Sequence, residues 1–238
     1  MQKSITIALD GPVASGKGTI ASQIAKRLQG INLNSGGVYR AYALKCIRES
    51  VDPKDVKHLQ KVLSTTSVAI ALKEENLSDF KILLDGEDVT KDILTPEVSA
   101  MASRYPLNDI YVQHMSKRLA EIVEEVSMFG VPIIMEGRNI GTEVIPNADC
   151  KIYLTADIDV RAKRRYEQYQ KRGVEKSFEE VLIDTRQRDE QDMSRKIAPL
   201  PRHPEELGYT IIDNTQQTRE ETISVIMQLL KEKKLYGE

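Results

Sequence analysis

Gly11 is followed by four residues and then by Gly16-Lys17, so the string Gly11, Pro12, Val13, Ala14, Ser15, Gly16, Lys17, Gly18, Thr19 contains the G-x-x-x-x-G-K half of a P-loop. In such a loop successive backbone N–H groups converge on one hollow and take up phosphate oxygens, while the lysine adds a full positive charge. Lys17 itself is expected on an exposed loop, where it would do little for a core. A second set of candidates is cationic. Arg161, Arg164 and Arg165 stand at i, i+3 and i+4, and Arg188, Asp192 and Arg195 at i, i+4 and i+7, so each set falls on one helical face. Guanidinium groups match phosphate oxygens and stay charged where water is excluded, which suits a lid that closes over phosphates. A solvated basic face balanced by Glu167, Glu175, Glu179, Glu180 and Asp184 fits the same spacing.

A phosphate loop needs a strand before it and a helix after it. The apolar run at 5–9 and the helical pattern at 20–28 supply both, and the helix would add the positive end of its dipole to the hollow. Further short apolar runs at 132–135, 151–154 and 209–212 are separated by helical periodicity and read as strands of a parallel sheet covered on both faces. Ligands of such sheets collect beyond the carboxyl ends of the strands. There the sequence places Asp10-Gly11, then Glu136-Gly137-Arg138-Asn139, then residues 155–159. Between 67 and 91 the pattern becomes that of an antiparallel insertion with Asp85-Gly86 as a two-residue hairpin turn, flanked by helical stretches at 39–50 and 106–127. It would sit as a flap beside the core.

The 238 residues favour one domain with inserted parts over two independent domains. With 40% apolar and 29% charged residues and a net charge of -2, the composition is that of a soluble protein without a broad surface for nucleic acid or membrane. Cys46 and Cys150, and His58, His114 and His203, show no metal-ligand spacing. No apolar run is long enough to span a bilayer, and the N-terminus enters a core strand at once, so a cytoplasmic location and a monomer are expected.

Over nearly its whole length the chain resembles the bacterial cytidylate kinases, nucleoside monophosphate kinases. The resemblance lies in D-G-P-x-x-S-G-K-G-T at 10–19, N-S-G-G-V-Y-R at 34–40, D-G-E-D-V at 85–89 and E-G-R-N-I-G-T at 136–142. It continues in R-A-K-R-R at 161–165 and R-D-E-Q-D-M-S-R-K-I-A-P-L at 188–200. Gly18 in place of the usual Ser or Thr after the lysine also points to small-molecule kinases rather than GTP switches. The resemblance implies an α/β fold: a P-loop nucleotide kinase with a five-stranded parallel sheet between helices, a small antiparallel β insertion and an arginine-rich helical lid. It implies transfer of the ATP γ-phosphoryl group to CMP or dCMP, with Mg2+. The parts would be a core at 1–66, the insertion at 67–95, core at 96–156, the lid at 157–195, and a last strand and helix at 196–238.

By the same resemblance, residues 11–19 hold ATP, with Lys17 on the β- and γ-phosphates. Ser35 and Arg40 lie on the monophosphate side, and Arg138, Arg188 and Arg195 clasp the acceptor phosphate or lie beside it. Asp192 matches a ribose-hydroxyl position and Ser103 one on the cytosine side, while Arg161 and Arg165 reach the transferred group from the lid. Three positions depart from the family. Asn34 and Asn139 stand where it has aspartate, and Glu136 replaces a carboxylate shorter by a methylene and would itself hold a magnesium-bound water. The family's arginine near Val112 is also missing. A carboxylate can only accept hydrogen bonds, whereas the Asn139 amide can also donate to a uracil carbonyl, so cytosine preference is expected to be looser and UMP is an alternative acceptor. A third reading is a nucleotide-binding regulator that lost turnover.

Overall fold

Continuous apolar runs four or five residues long satisfy their backbone groups best in the middle of a sheet, and three of the four expected runs lie there, the fourth at one edge, in a computed structural model describing residues 4–73, 76–171 and 173–237. The chain runs β1 (Thr6–Asp10), α1 (Lys17–Arg27), β2 (Ile31–Asn34), α2 (Ser35–Arg48), α3 (Val56–Thr65), β3 (Val68–Lys73), β4 (Asn76–Leu84) and β5 (Glu87–Asp88). It continues through α4 (Pro96–Arg104), α5 (Asp109–Ser127), β6 (Ile133–Glu136), β7 (Cys150–Thr155), α6 (Ile158–Lys171), α7 (Phe178–Met193), β8 (Thr210–Asp213) and α8 (Arg219–Glu232). Five strands form one sheet in the order β2-β6-β1-β7-β8, every neighbouring pair parallel.

The sheet has an apolar cluster on each face. Ile7, Leu9, Ile134, Ile152 and Leu154 point towards α1 and α8, where they meet Ile20, Ile24, Ile223 and Ile226. Ala8, Ile31, Leu33, Ile133 and Met135 point the other way, towards Tyr42, Tyr111, Met115 and Leu119 of α2 and α5. Strand β2 was not singled out from the sequence, and its composition explains why. It is a four-residue edge strand, I-N-L-N, with Ile31 and Leu33 buried and the two asparagines half-buried, so it never forms an apolar run.

The insertion is antiparallel, and its second turn is the two-residue hairpin expected from Asp85-Gly86, with φ of 50° and 88°. It is not a free flap. Val68, Ile82 and Leu84 are continuous with the core that contains Val38, Ala41 and Tyr42 of α2. A Cβ built at Gly37 would come within 2.5 Å of Ile82 Cδ1, so the insertion rests directly on the helix that begins at Ser35.

Because all five strands run the same way, their carboxyl ends present Asp10, Asn34, Glu136, Thr155 and Asp213 along one edge. The turn after β1 is the tightest point there. Gly11 has φ 147°, and a Cβ on it would lie 2.1 Å from the Leu154 carbonyl oxygen. Gly11→Ala is expected to cost about 1–3 kcal/mol through strain and displacement of β7. Urea denaturation reads this as a lower midpoint, and an unchanged midpoint would contradict it.

Candidate active site

Two cavities open along the carboxyl edge of the sheet. The larger, about 800 Å³, is lined by Ala14, Ser15, Gly16, Lys17, Gly18 and Thr19 and by α6 and α8 residues that include Arg164 and Arg219. The smaller, about 400 Å³, is lined by Ser35, Gly36, Tyr39, Arg40, Ser99, Ala102, Ser103, Pro106, Gly137, Asn139, Arg188 and Arg195. Asn34, Glu136 and Arg138 line both, so these three residues form the passage between them.

A helix begins at each cavity without a side-chain cap. Gly16 precedes α1 with φ 96°, Asn34 precedes α2, neither caps the helix with its side chain, and no acidic residue lies in either first turn. Free N–H groups and the positive dipole end therefore face both hollows, a setting made for anions. The contrast with α7 and α8 is direct: each of those has a complete capping box, Ser177 with Glu180 and Thr218 with Glu221.

Lys17 is buried, not exposed. Its ammonium group donates to the Gly11 and Pro12 carbonyl oxygens at 2.8 and 2.6 Å and to Ser15 Oγ at 3.2 Å, folding back onto its own loop. Burial, with the Arg138 charge, pulls its pKa down to about 7 against the opposing pull of Glu136, Asp10 and Asp192. The loop is braced from the lid. Asp189 Oδ1 accepts from the Val13 N–H at 3.0 Å and Asp189 Oδ2 from Arg161 Nη1 at 2.5 Å, while Arg161 Nη1 also donates to the Val13 carbonyl at 3.0 Å. Asp10, fully buried at the end of β1, accepts from the Ile140 and Gly141 N–H groups at 3.0 and 2.8 Å and from Tyr209 Oη at 2.7 Å. Burial nevertheless raises its pKa above the usual carboxylate value. It thereby ties the segment after Glu136-Gly137-Arg138-Asn139 to the strand that starts the phosphate loop.

The smaller cavity is strongly cationic. Asp192 has no exposed side-chain surface and anchors three guanidinium groups: Arg138 Nε at 2.8 Å, Arg188 Nε at 3.4 Å, and Arg195 Nη2 in a shorter contact. Burial raises the Asp192 pKa, but the charges of Arg138, Arg188 and Arg195 outweigh it and hold the carboxyl below its usual value. Arg188 and Arg40 are less well compensated, and burial lowers the pKa of both. Arg40 Nε is buried with no hydrogen-bond partner among the described residues. Four arginines therefore line a hollow whose only lining carboxylate is Glu136, a surplus that only an anionic guest removes. Glu136 is engaged by Asn34 Nδ2 at 2.7 Å, and its backbone carbonyl by Ser35 Oγ at 2.7 Å.

The family model for Cytidylate kinase matches residues 7–232 of this sequence. The chain belongs to the cytidylate kinase family. Among its similar relatives are the Cytidylate kinase of Caldicellulosiruptor bescii, 36% identical over 95% of this chain and 96% of that one, and that of Thermotoga maritima, 36% identical over 95% and 97%. The Cytidylate kinase of Bacillus subtilis is 34% identical over 98% of this chain and 99% of its own. A crystal structure of an uncharacterized protein from Eubacterium ventriosum aligns with TM-score 0.53 over 97% of this chain and 99% of that chain at 13% identity, a likeness of fold alone.

Of the residues expected from the family resemblance, the cavities collect Ser35, Arg40, Ser103, Glu136, Arg138, Asn139, Arg188 and Arg195, with Lys17 and residues 14–19 opposite. Gly11, Pro12 and Val13 line neither; they shape the loop from behind. Arg161 and Arg165 depart from expectation and line neither cavity. Arg161 is buried as a brace, also donating to the Ala156 carbonyl at 2.8 Å, and Arg165 bonds Tyr169 Oη one turn on, at 3.1 and 2.9 Å. The arginine of that face that reaches the larger cavity is Arg164, held by Asn214 Oδ1 and the Asn214 carbonyl at 2.9 and 3.0 Å. Arg195 lies beyond the end of α7, not on its face. Asp192, expected at a ribose hydroxyl, is enclosed by arginines. Val112 is buried and lines neither cavity. Asp189 and Asn214 were missed, although Asp189 stands three residues before Asp192, the spacing that puts both on one helical face.

Asp192→Asn leaves the buried arginines short of a counter-charge and is expected to cost about 3 kcal/mol at pH 7. A depressed folded pKa stabilises above the unfolded value and loses that contribution as pH falls through the folded one, so the gap between wild type and variant should shrink below about pH 4. Denaturation midpoints measured from pH 7 downward check this; a gap independent of pH would contradict it.

Proposed function

We propose that this chain transfers the γ-phosphoryl group of ATP to CMP and dCMP, giving ADP and the pyrimidine diphosphate. The observation that carries the reading is the shared lining of the two cavities by Glu136 and Arg138, which puts a donor phosphate hollow and an acceptor phosphate hollow within reach of the same side chains. An oxygen of the acceptor phosphate forms the new P–O bond while the bond from the γ-phosphorus to the bridging oxygen breaks and ADP leaves. The acceptor already carries negative charge at neutral pH, so no general base is needed.

The protein supplies alignment and charge. The loop at 14–19 and the start of α1 take the donor phosphates, and Lys17 leaves its own carbonyls to follow the charge on the transferred group. Ser35, Arg40, Arg188 and Arg195 hold the acceptor phosphate, and Arg138 spans the transfer point. Excluding water while both phosphates are held keeps the phosphoryl group from hydrolysis. Arg161 serves this chemistry indirectly by fixing Val13 with Asp189, and Arg164 takes the place on the donor side first given to Arg165.

Magnesium accompanies ATP in this reading. The oxygen donors fit it: the Glu136 carboxylate borders both cavities and, among the described residues, carries only the Asn34 amide, and this ion binds through one or two carboxylates plus phosphate oxygens and water. Bound there, it would neutralise phosphate charge, and Glu136 would hold it through a water.

Ser103 and Asn139 face the base. Because Asn139 is an amide, UMP is expected as a poorer but real acceptor, favoured less than CMP by about tenfold rather than by several orders of magnitude. A panel of CMP, dCMP, UMP, AMP and GMP with ATP and magnesium, read as ADP formed, tests the reading. CMP and dCMP should give the highest kcat/KM, and a purine as the best acceptor, or no turnover with any, would overturn it.

A further inference from the structure

Asn214 stands directly after β8, is 4% exposed, and has both ends of its side-chain amide engaged. Its Oδ1 accepts from Arg164 Nη1 at 2.9 Å, and its Nδ2 donates to the Ser15 carbonyl at 3.0 Å. The orientation of this amide is not open, because a guanidinium only donates and a carbonyl only accepts. The backbone of Asn214 is fixed as well, its N–H on the Thr155 carbonyl at 2.9 Å and its own carbonyl under Arg164 Nη2 at 3.0 Å. The Ser15 carbonyl that it holds belongs to the peptide joining Ser15 to Gly16, the residue that opens α1 with φ 96°. Turning that peptide over would carry φ into the ordinary negative range, and glycine accepts either sign, so the backbone alone does little to keep it as it is. Packing does little more. Among the described residues, leaving out its chain neighbours, only Asn214 Nδ2 comes within 4 Å of a Cβ built on Gly16, at 3.9 Å. Arg164 Nη1 adds a long contact of 3.5 Å to the same Ser15 carbonyl.

We propose that Asn214 is a positioning residue for the donor triphosphate, holding the Ser15-Gly16 peptide with its N–H towards the phosphates; the inference rests on the donor half of the kinase reading above. A trans peptide points its N–H opposite to its C=O. With the Ser15 carbonyl drawn to Asn214, the Gly16 N–H joins the free N–H groups at the start of α1, which line the larger cavity. Turned over, the same peptide would put a carbonyl oxygen in that row, and its partial negative charge would face the phosphates. Asn214 thus serves the donor twice, through the loop peptide and through Arg164, and the first effect does not need the second.

The experiment is calorimetric titration with ATP and magnesium, comparing Asn214→Ala in two backgrounds, wild type and Arg164→Ala, with CMP titrated into the same preparations. A Kd does not depend on what fraction of a preparation is folded. In the Arg164→Ala background, Asn214→Ala should raise the Kd for ATP by a further factor of roughly five, the worth of one neutral hydrogen bond, and leave that for CMP unchanged. No further rise overturns the proposal, because Asn214 would then act through Arg164 alone. An equal rise for ATP and CMP also overturns it and makes Asn214 a structural residue only. Asn214→Asp is the second variant. It keeps an acceptor for Arg164 but sets an oxygen against the Ser15 carbonyl, so the Kd for ATP should rise at least as much, and an unchanged value would contradict the proposal. Turnover is read separately: a protein that phosphorylates neither CMP nor UMP fails the kinase reading, while its Kd values for ATP still decide the role of Asn214.

Discussion

A carboxylate out of water among three guanidinium groups is the interaction on which the smaller cavity depends. Arg138, Arg188 and Arg195 come from different parts of the chain, β6's end, the body of α7 and the segment beyond it, and in a small hollow they would repel one another apart. Asp192 holds them together. Its charge satisfies part of theirs and leaves the remainder pointed at the cavity, where Arg40 adds an unpartnered nitrogen. The hollow is thus built incomplete, and an anion completes it.

The same helix reaches the donor half. Asp189, one turn before Asp192, takes the Val13 N–H with one oxygen and Arg161 with the other. One face of α7 therefore braces the loop at 11–19 and the arginines of the smaller cavity at once. From beneath the sheet edge, Asp10 does a related job, fixing the 140–141 backbone and Tyr209 to the strand that opens the loop. Charged groups of this kind add little net stability, and what they secure is the relative position of groups that would otherwise drift.

The fold was legible where local chemistry decided it. The loop at 11–19, the central strands and the hairpin at Asp85-Gly86 are all written in short windows, as apolar runs, glycines and a turn pair. Strand β2 was not, because an edge strand with asparagines on one side has no apolar run. That Arg40, Arg138, Arg188 and Arg195 gather at one hollow was legible from helical spacing and family resemblance together. What spacing could not tell was direction: Arg161, Arg164 and Arg165 share a helix, yet one braces the loop, one lines the larger cavity and one stacks on its own tyrosine. Which of three neighbours turns inward is decided by Asp189, Asn214 and Tyr169, residues from other elements or another turn, and no local window contains them all.

The central claim is that two aspartates on α7 separately position the two halves of one site. Steady-state kinetics of Asp189→Asn and Asp192→Asn, varying ATP and CMP in turn, tests it most directly. Asp189→Asn should raise KM for ATP with little change for CMP, and Asp192→Asn should raise KM for CMP by about tenfold or more with little change for ATP. If both variants moved the same constant, or if neither moved either, the division of labour along this helix would be wrong.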